Sequence, residues 1–328
     1  MGDDDDDLWF LPGPVEDDDL SPLPRADSRL LFDPDEWRRA EAAQAGELAH
    51  LALLFGELDA RLRMADPRQR AGLNHRLALN EAADIAWWAG DRFAVERLGL
   101  WLALRIGSTA ETEDTIARAG WAVRRLTEGP PPAQGLAAFL ERPADSAVAD
   151  LADTLAAFAG LNPVTQSAML FHAWRMIGPE QARDVEAAVL AARHGATLSR
   201  SPGQGAQFLP LVTTGPGALR GQGEPLRKLS AWIEGAAQAC LAALLALERL
   251  RVWRQRADAA TADLSGRVPA LLLDVLETWP LVPAPLAEAE TGASRAAVQR
   301  NLDRLAERGL VREVTGQGRF RVWTAEAP

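Results

Sequence analysis

The spacing of apolar residues predicts a chain built mainly of helices. Apolar positions from Leu48 to Leu62 recur in steps of three and four residues, which is the repeat of one helix face. Asp33 or Asp35 can cap this helix at its start. Further helices are expected at about 68–88, 92–106 and 110–126, with short turns between them. Four helices joined in this way favour an antiparallel helical domain at residues 29–128.

A second helical region is predicted at residues 136–264, after a linker at 129–135 that contains Gly129 and three prolines. Its helices are expected at about 146–159, 163–176 and 179–194, with a long one at about 225–262. Residues 199–224 are rich in Gly, Pro, Ser and Gln and predict a long loop, of a kind that is usually functional or mobile. The arginines that end the long helix favour a solvated face, with phosphate contacts as the alternative.

Residues 265–326 carry the most specific pattern. It predicts a helix at about 268–279, a short helix at 283–290, a turn at Gly292 and a helix 294–308 capped by Ser294. Two strands at 310–314 and 319–323 then flank a Gly-containing turn. This order predicts a C-terminal winged helix-turn-helix with a small β-hairpin wing. The fold class is therefore mainly α, with bundle-like N-terminal and middle regions before that domain.

The pattern also predicts which side chains of this domain face DNA. Val298, Leu302 and Leu305 share one helix face and are expected in the core. The opposite face of a recognition helix enters the major groove, where Arg reads guanine and Gln reads adenine. Wing residues are expected along the phosphate backbone, with Arg319 and Arg321 on one side and Arg312 joining them. The predicted DNA-binding residues are Ser294, Arg295, Ala296, Gln299, Arg300, Arg312, Thr315, Gln317, Arg319 and Arg321.

The distribution of charge along the chain is more informative than the net charge. The net charge is -11, but residues 1–20 hold nine acids and no base. Residues 291–325 hold seven arginines and three acids, so the local field suits DNA. Acid runs and prolines predict a disordered acidic tail at 1–28. The tail is expected either to compete with DNA, to dock on a protein partner, or to act only as a solubiliser.

Composition excludes several classes of site. One cysteine, Cys240, permits no intrachain disulfide and no Cys₄ zinc site, and its apolar neighbours predict burial. The four histidines lack metal-ligand spacing and are expected at half-buried or surface positions. No apolar run reaches 18 residues, so no membrane span is expected. The start MGDDDDD has no basic segment, so no secretory signal is expected. These features favour a cytoplasmic, nucleoid-associated protein.

No catalytic constellation is evident. Glu81 and Asp84 share one helix face, but a carboxylate pair without a partner is expected to be ordinary surface. No nucleophile–base arrangement is recognisable, although such groups assemble in space. The sequence therefore predicts a protein that is not an enzyme, with no metal and no cofactor. An enzyme that uses a pocket in the helical body is the least favoured alternative.

Two stretches resemble a known family. They are Asn80 to Gly90 with its continuation to Leu98, and Thr291 to Trp323 with its Gly-Ala-Ser turn and basic hairpin. Together they are similar to largely uncharacterised helix-turn-helix proteins encoded on plasmids of rhizobia. The resemblance implies a helical region of unknown function before a DNA-binding domain, and a plasmid or mobile-element setting. The acidic tail departs from that family.

The leading hypothesis is a sequence-specific regulator that binds double-stranded DNA as a homodimer. Its helical body would dimerise or bind a ligand. The alternative is a non-catalytic, kleisin-like subunit of a chromosome- or plasmid-organising complex, whose winged helix binds protein. In either case a protein partner through the acidic tail or the helical body is a further prediction.

Overall fold

The computed structural model describes residues 32–104, 110–180, 183–212, 215–316 and 321–327. Thirteen α-helices and three short strands form the regular structure of these residues, so the prediction of a mainly helical protein is confirmed. The acidic tail predicted at 1–28 lies outside the described residues.

The first region contains a break that the sequence pattern does not predict. Its helices are α1 (Pro34–Ala43), α2 (Ala45–Met64), α3 (Pro67–Trp88), α4 (Val95–Leu104) and α5 (Ala110–Thr127). The prediction of a single helix that runs to Leu62 is wrong, because α1 ends at Ala43 and Gln44 caps it, with its backbone N–H bonded to the carbonyls of Ala40 and Glu41. This break redirects the chain, so that α1 and α2 both pack on the later helix of residues 225–260.

The middle region follows the predicted helices closely. It comprises α6 (Leu136–Leu140), α7 (Ser146–Ala157), α8 (Pro163–Ile177), α9 (Arg183–Gly195) and α10 (Pro225–Ala260). The side chains of Asp145 and Asn162 accept hydrogen bonds from the first turns of α7 and α8, as N-cap residues do. The extensive packing of α8 against α9 makes this pair the centre of the region.

The last elements are α11 (Val268–Thr278), β1 (Val282–Pro283), α12 (Ala284–Thr291), α13 (Arg295–Glu307), β2 (Val311–Glu313) and β3 (Val322–Ala325). The strands form an antiparallel sheet in the order β1-β3-β2, with Arg312 opposite Thr324 and Glu313 opposite Trp323. Strand β1 is absent from the sequence prediction, because two residues that end in a proline carry no alternating pattern. Residues 268–316 and 321–327 are called the C-terminal unit below.

One connected set of buried apolar residues extends from Phe32 to Trp323. Helix α10 is its axis, since it contacts α1, α2, α8, α11 and the single helical turn at 217–220. Gly235 permits the last of these contacts, because a Cβ there would lie 2.1 Å from the backbone nitrogen of Ala218. A residue with a side chain at 235 would therefore force the two elements apart.

Among the described residues, α10 is the one helix long and apolar enough to cross a membrane. Its most apolar 18-residue window has a mean hydropathy of 1.4, and half of that window is buried inside the protein. A buried core helix passes the same test, so length and composition here are weak evidence for a membrane span.

Residues 205–212, called the inner segment below, are irregular as predicted but lie in the core. Phe208, Leu209 and Leu211 are almost fully buried. Polar side chains from distant helices pair with the backbone of the segment: Asp59 with Ala206, Asn74 with Gly205 and Gln207, Glu81 with Leu211 and Val212, and Arg193 with Gln207. Buried backbone groups require such partners, so these contacts make an irregular interior segment stable.

Candidate nucleic-acid interface

The turn between α12 and α13 has the predicted geometry. Gly292 has a φ of 62°, a conformation that favours glycine. The Ser294 Oγ accepts a hydrogen bond from the backbone nitrogen of Ala297 at 3.4 Å, which caps α13. Val298, Leu302 and Leu305 are fully buried. The N-terminal half of α13 therefore presents its other face to solvent.

Four of the predicted DNA-binding residues form this exposed N-terminal face. Ser294, Arg295, Ala296 and Arg300 are all exposed. The Arg295 side chain is 73% exposed, and its nearest carboxylate is Glu288 at 3.9 Å, at the limit of an ion pair. Arg300 has no ion pair within the described part of the chain. Both guanidinium groups are thus available to a ligand outside the protein.

Gln299 and Arg321 are engaged within the protein. The Gln299 Nε2 donates to the Asp303 carboxylate at 3.0 Å, and Arg321 Nη1 donates to the same oxygen at 3.0 Å. Arg321 also lies 3.8 Å from Glu313 and 4.2 Å above the centre of the Trp323 ring. These contacts join α13 to the sheet. For Gln299 to reach a base edge, its bond to Asp303 must first break.

The wing residues do not form the single basic surface that the sequence predicts. Arg312 pairs across the sheet with Thr324, whereas Glu313, beside Arg321, pairs with Trp323, so Arg312 and Arg321 lie on opposite faces. Arg312 points to the helical body, where it bonds to Glu96 on α4 at 3.1 Å. Thr315 donates its hydroxyl to Glu313. Gln317 and Arg319 lie outside the described residues.

Helix α10 holds the C-terminal unit in place. The buried Trp253 indole donates to the Leu310 carbonyl at 2.7 Å. Arg254 bonds to Asp274 and Glu277 on α11 at 2.7 and 2.9 Å, and Arg256 bonds to the Glu326 carbonyl. The prediction of a solvated arginine face at the end of this helix is therefore wrong for Arg254, whereas Arg256 is exposed as predicted. The acids on α11 that pair with Arg254 are 20 or more residues away, which explains why local reasoning missed them.

The charge of this region is nearly balanced once α12 is included. Between residues 284 and 327 the sequence holds seven arginines and six acidic residues. Asp303, Glu313 and Glu326 lie within ion-pair distance of Arg321 or Arg312, and Glu290 pairs with Arg68 on α3. Most of the acids are thus occupied, whereas Arg295 and Arg300 remain exposed. The local field at the N-terminal face of α13 is more positive than the sum suggests.

The burial of Glu81, and the half-burial of Asp84 beside it, were missed by sequence reasoning. Glu81 on α3 is only 4% exposed, so the prediction of an ordinary surface pair with Asp84 is wrong. Burial raises the pKa of Glu81 to about 8 and that of Asp84 to about 6. The one available signal was position, since Glu81 lies one turn after Leu77 on the apolar face of α3.

The remaining titratable candidates behave as packing residues. Cys240 is fully buried, as predicted, and burial raises the pKa of its thiol. His172 and His194 are buried, contrary to the prediction of half-buried or surface histidines, and burial lowers their pKa values to about 3 and about 4. Among the described residues, no three potential ligands come together as a metal site.

Comparison with known proteins adds no relative to this description. No protein-family model matches the sequence, and no curated protein matches it.

Proposed function

We propose that the C-terminal unit is a winged helix-turn-helix that binds double-stranded DNA, with α13 in the major groove. The order helix, strand, two helices and two strands, with β1 completing a sheet of order β1-β3-β2, supports this proposal. The turn at Gly292 and the cap at Ser294 further support it, because they suit the second helix of a helix-turn-helix.

The observation that carries the proposal is the division of α13 into two faces. One face buries three apolar residues, and the other exposes Ser294, Arg295, Ala296 and Arg300 at the N-terminal end. N-terminal residues of a recognition helix contact base edges, and the free amides of a helix N-terminus hold phosphate. Arg295 and Arg300 therefore suit guanine edges or phosphates, while Ser294 and the first amides suit the backbone.

In this proposal the protein is a regulator that is not an enzyme. It acts as a homodimer on the nucleoid, within the cytoplasm, and reads a specific sequence. The resemblance to plasmid-encoded helix-turn-helix proteins of rhizobia suggests a plasmid or mobile-element setting. We further propose that the acidic tail or the helical body offers a site for a protein partner.

The second candidate is a winged helix that binds protein, in a subunit of a chromosome- or plasmid-organising complex. The excess of only one arginine over the acids of residues 284–327 favours it, because DNA-binding surfaces are generally more basic. Both candidates use the same exposed face of α13, so substitution alone does not separate them. Salt-dependent DNA binding does.

The test is selection of bound sequences from random double-stranded DNA, followed by measurement of affinity across a range of salt concentrations. Wild-type protein should enrich a defined sequence, with an affinity that falls steeply as salt rises. The double variant Arg295→Ala and Arg300→Ala should lose at least about tenfold in affinity, since each base contact contributes about 1–3 kcal/mol. Its stability should stay within about 0.5 kcal/mol of wild type, because both side chains are exposed.

The matched control removes two exposed arginines elsewhere, Arg39 on α1 and Arg200 after α9. This variant has the same net charge as the test variant and should bind DNA like wild type. If no sequence is enriched, or if the two double variants bind equally well, α13 does not read DNA. The protein-binding candidate would then take its place.

A further inference from the structure

A cavity of about 390 Å³ lies beneath the inner segment. Its walls come from α3, α4, α10 and the inner segment. Most of the lining is apolar and includes Leu77, Val95, Phe208, Pro210 and Ala243. A cavity of this size with apolar walls is typical of sites that bind small molecules.

The carboxyl groups of the cavity lie on α3, and the exposed Arg249 on α10 is the one cation among the described residues of its lining. Glu81 and Asp84 are three residues apart, so their carboxyl groups lie on one face of the helix. The Glu81 Oε1 accepts hydrogen bonds from the backbone nitrogens of Leu211 at 2.8 Å and Val212 at 3.2 Å. Its Oε2 has no donor within the described residues, although the Glu81 residue as a whole is only 4% exposed.

Asp84 is the second free acceptor. It is half-buried, and its carboxylate makes no hydrogen bond or ion pair with the described residues. Both carboxyl groups line the cavity and keep oxygen atoms without a donor among the described residues, so both can accept hydrogen bonds from a molecule in the cavity. A ligand that donates hydrogen bonds would satisfy both.

We propose that this cavity binds a small molecule with an apolar body and a protonated amino group, which lies between Glu81 and Asp84. An ammonium group has three donors and no acceptor, so it can serve Glu81 Oε2 and Asp84 together. The apolar walls would receive the rest of the molecule. Burial raises the pKa of Glu81 to about 8, so at neutral pH a bound ammonium group would displace a proton from this carboxyl group and pair with the carboxylate.

The cavity continues toward the C-terminal unit. It shares Asn80, Val95, Ala246 and Arg249 with a neighbouring cavity of about 280 Å³. The far wall of that second cavity contains Arg312 on β2 and Thr324 on β3. A bound molecule would therefore lie one cavity away from the sheet. Side-chain movements caused by binding could reach the C-terminal unit, which carries α13, through the shared lining residues.

The test uses benzylamine, phenethylamine and cyclohexylmethylamine as probes, without DNA, at about neutral pH and up to about 10 mM, a range that detects weak affinities. Isothermal titration calorimetry gives affinity, and the shift in Tm gives an independent readout. At least one amine should bind and raise Tm. Phenethyl alcohol and phenylacetate, which share the apolar body but lack the cation, should do neither.

Two isosteric variants assign the binding to these residues. Asp84→Asn and Glu81→Gln should each weaken binding of the amine by about tenfold or more, since each removes a charge-assisted hydrogen bond. Asp150→Asn on α7 makes the same charge change outside the cavity and should leave affinity unchanged. Asp84 holds no other part of the protein, so Asp84→Asn should fold normally.

The proposal is overturned if none of the amines binds, or if the alcohol binds as well as the amine. It is overturned equally if Asp84→Asn and Glu81→Gln bind the amine like wild type. In those cases Glu81 serves only to hold the inner segment. None of these outcomes depends on DNA, so a failure here leaves the proposed function of α13 unaffected.

Discussion

Helix α13 and the inner segment place polar side chains in opposite ways. In α13 the apolar residues face the core and the polar residues face outward, at intervals set by the helix itself. In the inner segment the apolar side chains and the backbone are both buried, and the polar partners come from elsewhere. Asp59, Asn74 and Glu81 reach it across separations of 147, 131 and 130 residues. One region is governed by local spacing, and the other by distant contacts.

This difference decides what could be predicted. The helices of the C-terminal unit were predicted to within one or two residues, because period, cap and glycine are all local signals. The burial of residues 205–212 could not be predicted, because Gly, Pro, Ser and Gln around them are typical of surface loops. Side chains of distant helices stabilise this backbone in the core, and their positions in the sequence do not indicate that they bind it.

The candidate interface shows the same limit. Ser294, Arg295, Ala296 and Arg300 are exposed, as helix periodicity predicts. The pairing of Arg312 with Glu96 and of Arg321 with Asp303 could not be predicted, because each joins two elements. Residue type and alternation place an arginine on a strand, but they do not say which neighbouring element faces it.

The largest expected effect comes from removing a side chain that binds the inner segment from a distant helix. Glu81→Leu should lower the free energy of unfolding by about 3 kcal/mol, because two buried N–H groups lose their acceptor and each costs about 1–3 kcal/mol. Urea denaturation measures the change. Glu81→Gln keeps an acceptor oxygen and should lose less than about 1 kcal/mol. Equal stabilities of these two variants would mean that Glu81 does not hold the inner segment.

The same carboxyl group should make stability depend on pH. Burial raises the pKa of Glu81 from 4.5 to about 8, so between these values the folded protein retains a proton that the unfolded chain releases. The free energy of unfolding should therefore fall as pH rises, by at most about 1.4 kcal/mol per pH unit.

The useful window is pH 6.5 to 8. Below this window, His172 and His194, whose pKa values are lowered in the folded protein, make the free energy of unfolding rise with pH. The reason is that their unfolded forms bind protons that the folded protein does not. Asp84 adds its own decrease mainly below about 6. Denaturation midpoints of wild type and Glu81→Gln across this window measure the effect. A wild-type slope equal to that of Glu81→Gln would show that Glu81 is ionised throughout.

The helix cap at Ser294 is a local signal, so its removal should lower stability less than the removal of Glu81 does. Another side chain that accepts a hydrogen bond should be able to replace it. Ser294→Ala removes the cap of α13 and should cost about 1 kcal/mol of stability. Ser294→Asp restores an acceptor at the same position and should recover most of that loss. Chemical denaturation measures both. A cost well above about 2 kcal/mol would mean that Ser294 holds more than the first turn of its own helix.

The attachment of the C-terminal unit to α10 has a consequence for how two copies would sit on DNA. Trp253, Arg254 and Arg256 clamp this unit directly to the helical body, so its direction is not set by a free linker. If two copies bind as a dimer, the distance and rotation between their recognition helices is one fixed value. The two half-sites should then tolerate only one spacing, close to a whole number of helical turns of about 10.5 base pairs. Inserting half a turn between them would place the second half-site on the wrong side of the duplex.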